Sequence, residues 1–236
     1  MILDSSFKLS RLIVQAGYPP APLIWDCAGK TNSRIQRIWP GLEFLLDHIS
    51  PNQVILKSPG VQVETGLEKS TISLFGLKTI DQLTSDRIVE TFGVWREFLG
   101  LEELSRISSR VIYTKDFKSI STANSALFAL AKYQIKAKVF DQPVDSPLNT
   151  IDCAYKFEDE SSFAFLRIRT EQVTVEITPN ADMPNLKGSK ETTNRLVIDF
   201  DRGIKKMVAA ADFRMDEWLK GFVHVFRRDL EKVVGE

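Results

Sequence analysis

The sequence predicts an α+β protein of two related halves, each an antiparallel sheet covered by helices, able to join as one continuous sheet. Three observations predict it. The only cysteines, Cys27 and Cys153, occupy the same tripeptide, Asp26-Cys27-Ala28 and Asp152-Cys153-Ala154, just over half a chain length apart. Each copy follows a Pro-Leu pair, Pro22-Leu23 and Pro147-Leu148, and recurrence at that interval reads as an internal duplication. Beyond Pro147 the apolar pattern takes a period of two, the signature of strands with one buried face. The chain then closes on a segment, Met215 to Val234, in which Trp218, Phe222, Phe226 and Leu230 fall on one helical face.

The division falls in Asp141–Pro147, rich in proline and polar residues, giving an N-terminal half over 1–140 with extra helices and a C-terminal half over 141–236. In the first half, Leu23, Trp25 and Cys27 alternate with Ile24, Asp26 and Ala28, which predicts a strand. Ile35, Ile38, Leu42, Leu45, Leu46 and Ile49 recur at helical spacing, with Pro40-Gly41 predicting a kink or two pieces. Short strands follow at Val54–Leu56, Val61–Glu64 and Thr71–Leu74. Thr84 or Ser85 can cap a helix whose apolar face is Ile88, Phe92, Trp95 and Leu99. A strand at Arg110–Thr114 and a helix from Ser121 or Thr122 to Tyr133 complete the half.

In the second half a four-strand meander is expected at Ile151–Phe157, Phe163–Thr170, Val173–Thr178 and Leu196–Asp201. Turns at Glu158–Ser162 and Glu171-Gln172 and a polar loop from Pro179 to Thr193 join its strands. The terminal helix has this meander as its natural target, since a sheet and a helix bury each other's apolar stripes. Edge strands without proline or bulges invite pairing, so a protein partner or a homodimer is expected.

Composition narrows the function. Lys plus Arg and Asp plus Glu are 31 each, and a chain without basic excess argues against a general nucleic-acid binder. No apolar run reaches the length of a membrane span, and residues 1–20 hold no apolar core of signal-peptide length, so a cytoplasmic protein without a membrane partner is expected. Two cysteines outside any Cys-x-x-Cys pair and two histidines disfavour a zinc site; the cysteines read as reduced, buried hydrophobes. His48 suits a helix C-terminus and His224 an exposed helix face. No Gly-x-Ser-x-Gly elbow, Gly-x-Gly-x-x-Gly turn or Walker loop occurs, and no cofactor is expected.

Several strings together resemble a sporadically distributed family of uncharacterised bacterial proteins of similar length. They are Ala21-Pro22-Leu23-Ile24, Trp95-Arg96-Glu97-Phe98 with the arginine-led segment Arg106 to Tyr113, Leu196-Val197-Ile198-Asp199-Phe200-Asp201, and the Phe-rich turn Phe222 to Phe226. The family's mid-chain strand ends in Tyr-Asn where this chain has Tyr113-Thr114. The resemblance implies no known activity, and its patchy distribution associates with mobile-element or defence genes.

The sharpest chemical candidate is Asp199 with Asp201. Residues i and i+2 of a strand share a face, so both carboxylates could hold one divalent cation, joined by Asp152 and Glu176 from neighbouring strands. That would make a metal-dependent hydrolase or nuclease. Against it, Arg167, Arg169 and Arg195 lie on similar registers and would pair with these acids across strands. The leading expectation is therefore a non-catalytic interaction module, with the Asp199–Asp201 metalloenzyme as its alternative.

Overall fold

The computed structural model describes residues 6–45, 50–131, 150–177 and 189–234. Helices and a large antiparallel sheet mix, as the composition of periods requires. The strands are β1 (Lys8–Gly17), β2 (Glu43–Phe44), β3 (Gln53–Lys57), β4 (Val61–Gly66), β5 (Lys69–Phe75), β6 (Glu103–Leu104), β7 (Arg106–Phe117), β8 (Asp152–Glu158), β9 (Ser162–Ile177), β10 (Ser189–Ile204) and β11 (Val208–Ala209). The helices are α1 (Ile24–Ile38), α2 (Asp86–Phe98), α3 (Ile120–Ala131) and α4 (Met215–Val234), with a 3-10 turn at Ile80–Thr84. Nine strands form one sheet in the order β2-β3-β4-β5-β1-β7-β10-β9-β8, and β6 pairs with β11 apart from it.

Alternation assigns the two faces. Leu12, Val14 and Ala16 of β1 sit opposite Val111, Ser109 and Ile107 of β7, and Val111 sits opposite Phe200 of β10. All of these are buried, and they line the face against which the helices pack. The Trp95 indole of α2 donates to Thr65 Oγ1 at 3.0 Å, and the Trp218 indole of α4 donates to Ser109 Oγ at 3.0 Å. Phe222 and Phe226 meet the Phe200 ring at 5.5 and 5.6 Å, and Phe226 stacks on Tyr113. Thr170 of β9 donates to Asn124 of α3 at 2.6 Å. These contacts between described helices and the sheet all land on one face. Among the described residues, none of these helix contacts falls on the opposite face.

The order of elements recurs. β1, α1, β3–β4–β5 and α2 are followed by β7, α3, β8–β9–β10 and α4. β5 pairs with β1 as β10 pairs with β7, and β1 and β7 meet antiparallel in the middle.

Several expectations need correction. Leu23–Ala28 is not a strand: Ile24 to Ala28 open α1, because Ile24, Thr31, Ile35 and Ile38 share a buried helical stripe, while Leu23 and Trp25 point outward. Cys27 is therefore helical and Cys153 lies on a strand, so the matched tripeptides do not mark equivalent positions. Both thiols are half-buried rather than core. α1 stops at Ile38, where the Trp39 amide caps Ile35 C=O; Gly41 turns at φ 87° and the chain enters β2. Glu171-Gln172 is no turn. It continues β9, and the two polar residues pair with Arg195 and Asn194 of β10, so β9 is a single strand of 16 residues and the expected four-strand meander has three. Residues 189–193 are strand rather than loop. α3 begins one residue before Ser121 and is capped by Ser119, whose Oγ accepts from the Thr122 amide at 3.2 Å. The expected division at Asp141–Pro147, the Pro147-Leu148 pair and His48 lie outside the described residues.

Candidate functional site

The face opposite the described helices gathers the charged residues that the strand registers place there. Asp199 of β10 stands opposite Ile112 of β7 and Arg167 of β9; Asp201 stands opposite Arg110 and Phe165. Both acids share the face, as i and i+2 must. Asp199 is 1% exposed, and its burial is compensated. Arg110 grips it with two parallel bonds, Nε to Oδ1 at 2.7 Å and Nη2 to Oδ2, and Arg169 Nη1 approaches Oδ2 at 3.5 Å. The bond to Asp199 holds the Arg110 guanidinium even more basic than usual.

From Arg169 the network runs on through Nε to Glu171 Oε2 at 3.2 Å, and Glu171 Oε1 accepts from Arg195. Beside it, Arg167 Nε binds both oxygens of Asp152, at 2.8 and 2.9 Å, which holds that carboxyl below its usual range. A ladder of guanidinium and carboxylate groups thus crosses β7, β10, β9 and β8. The arginines weighed against the metal reading are all in it.

Asp201 departs from this pattern. Burial pushes its carboxyl up to about 6, against the opposing pull of Arg106 and Arg110 and with a further push from Asp199. Its Oδ1 is buried with no hydrogen-bond partner in the described chain. Gly203, two residues on, lets the Phe163 ring lie close against β10: a Cβ there would meet that ring at 2.4 Å and Ile107 C=O at 2.7 Å. Arg106 stacks over that ring, 4.7 Å from its centroid.

Across β7, Arg11 of β1 lies 5.1 Å over the Phe75 ring and donates Nη2–H to Ser73 Oγ at 2.9 Å. Burial and the charge of Arg110 lower its basicity. Its Nε is the second buried side-chain atom of the described residues with no hydrogen-bond partner. Asp201 and Arg11 thus flank the Arg110–Asp199 pair, one offering a free acceptor and the other a free donor.

No protein-family model matches this chain, and no curated protein is significantly similar to it.

Of the four acids read as a metal set, the structure brings Asp199, Asp201 and Asp152 to one face. It sends Glu176 to the other, because even-numbered residues of β9 share the side of Ile168; Glu176 stands opposite Lys190 near the end of the strand. A cation at Asp199 would have to displace Arg110. Among the described residues, no three His, Cys, Asp or Glu side chains are grouped to hold a metal. Sequence reasoning passed over Arg11 and Arg110 as site residues. The spacing Arg106-x-x-x-Arg110 in a strand carried the signal, since it puts both cations on one face.

Proposed function

We propose that the chain is a non-catalytic cytoplasmic interaction module that recognises a protein through the face of its sheet that no described helix covers. The observation that carries the reading is the pair of buried, unpartnered atoms, Arg11 Nε and Asp201 Oδ1, on either side of Arg110. The large majority of buried polar atoms in folded proteins are satisfied, and those that are not call for an explanation. A partner offering a carboxylate to Arg11 and an N–H donor or cation to Asp201 supplies both bonds. The two strands involved are separated by one other, a span of about 10 Å, which suits two side chains of a protein. The rest of the ladder acts as a register: its alternating signs repel a partner whose charges are displaced by one strand.

The same proposal takes the recurring order of elements as an ancient duplication, aligned β1 with β7 rather than Cys27 with Cys153. It also takes the chain as a relative of the sporadically distributed bacterial family, with the association to mobile-element or defence systems that this implies.

The test compares proteins captured from the native host by the wild-type chain and by Arg11→Gln/Asp201→Asn. A partner held by the first and lost by the second, with unchanged circular dichroism, is the expected result. Identical capture by both chains rejects this face as the recognition surface.

A further inference from the structure

We infer that a second copy of this chain pairs with β8 along the edge that no described strand occupies, antiparallel, with Ala154 facing Ala154 across the two-fold axis. The two ends of the sheet are built differently. At one end the edge strand β2 has two residues, the short edge that discourages pairing. At the other, β8 runs for seven residues without proline and without a break in its register to β9, and no described strand lies beyond it.

The direction of its hydrogen bonds follows from its two ends. Thr170 N–H donates to Ile151 C=O at 2.9 Å, and Asp159 N–H donates to Ser162 C=O at 3.0 Å. Odd-numbered residues therefore face β9. In a strand, alternate residues turn their backbone groups to opposite sides, so Asp152, Ala154, Lys156 and Glu158 direct N–H and C=O outward.

An antiparallel partner must pair even residues with even residues, and the side chains choose among those registers. Centring on Asp152 or on Lys156 sets like charge against itself. A centre between Ala154 and Lys156 sets Asp152 against Glu158. Centring on Ala154 sets Asp152 against Lys156, twice by symmetry. On the helix-covered side the same register faces Ile151 with Phe157 and Cys153 with Tyr155. Phe157 is 63% exposed in the single chain, and this arrangement covers it. Lys156 is the kind of edge charge that discourages indiscriminate pairing; centring on Cys153 sets Asp152 against Ala154 and Lys156 against Thr150, with no ion pair, so the Ala154-centred register is the one that joins Lys156 to Asp152.

Light scattering in the micromolar range is expected to give twice the chain mass of 26.8 kDa. Ala154→Pro removes one outward N–H and no bond to β9, and is expected to give a folded monomer. Should that variant fail to fold, charge reversal decides. Lys156→Asp alone is expected to be monomeric, and Asp152→Lys/Lys156→Asp in one chain to recover the dimer. In hydrogen exchange, the amides of Asp152, Ala154 and Lys156 should be slow in the dimer and fast after dilution. A wild-type monomer, a dimer indifferent to Lys156→Asp, or fast exchange of those amides at high concentration overturns the inference. Asp152 belongs to the charged ladder as well, so the two readings are separated by Arg11→Gln/Asp201→Asn, which leaves β8 untouched and is expected to leave the dimer intact.

Discussion

Asp201 is held in a state that costs the fold. Its carboxyl titrates in the ordinary range when unfolded and near 6 when folded, because burial opposes its charge more than Arg106 and Arg110 favour it. A raised value means that the folded state holds the proton more tightly. The stabilising contribution is therefore complete below the unfolded value, about pH 4, and lost as pH rises through about 6. That interval of about two on the pH scale corresponds to about 3 kcal/mol. Asp201→Asn keeps the shape and removes the charge. It is expected to stabilise the protein at pH 8 by up to about 3 kcal/mol, to leave pH 4 nearly unchanged, and to flatten the slope between. Denaturant unfolding at several pH values measures this. A variant less stable than wild type at pH 8 would show that the charged carboxylate is welcome in the free chain. It would also remove one of the two atoms on which the partner argument stands.

At the scale of elements, α4 is the clearest case of sequence becoming packing. Met215, Leu219, Phe222, Val223, Phe226 and Leu230 are all buried, and Asp216 and Glu217 complement the positive end of the helix in its first turn. The stripe was plain in the sequence because twenty residues give more than five turns in which to see it. Phe222→Ala is expected to cost about 3–5 kcal/mol, since the cavity opens against Phe200 at the centre of the sheet. Thermal unfolding reads this directly, and a melting point like that of wild type would place α4 off the core. Shorter elements deceived for physical reasons. Six residues at Leu23–Ala28 fit either period, and only the continuation to Thr31, Ile35 and Ile38 favours the helix. At Glu171-Gln172 two polar residues looked like a turn, but their partners on β10 are polar too, and a polar pair across strands breaks nothing. β1 was missed although Leu12, Val14 and Ala16 alternate cleanly, because Lys8 and Arg11 interrupt the run at its start, as charges on a strand's outer register do.

At the scale of the molecule, hydrophobic periodicity made the class legible but not the connections. A sheet order such as β5-β1-β7-β10 depends on pairings between distant residues, for which a single sequence carries no local signal. The face of the candidate site was half legible for the same reason. Alternation placed Asp199 beside Asp201, whereas the arrival of Arg110 from β7 and Arg11 from β1 needed the sheet order. That order predicts a gradient of protection. Amides of Leu12, Val111 and Ile198, in strands flanked on both sides and buried, are expected to exchange only through global opening. Those of Thr174 and Thr192 lie where β9 and β10 pair only with each other, beyond the reach of β7 and β8, and should exchange through local fraying. Uniform protection along β10 would contradict this.

The central position of the earliest strand sets a schedule for synthesis. β1 is made before the other described strands, yet its neighbours are β5 and β7, and β7 in turn waits for β10, which follows most of the described strands. The ring that closes over Phe200 and Tyr113 belongs to α4, the final helix. A nascent chain therefore carries an open edge at the middle of its sheet, first on β1 and then on β7, until β10 is made, and a chain interrupted before Met215 presents the centre of its core to the solvent. Contacts of such long range make for slow folding, and a partly made chain with an open central edge is the form most exposed to aggregation or to capture by a chaperone.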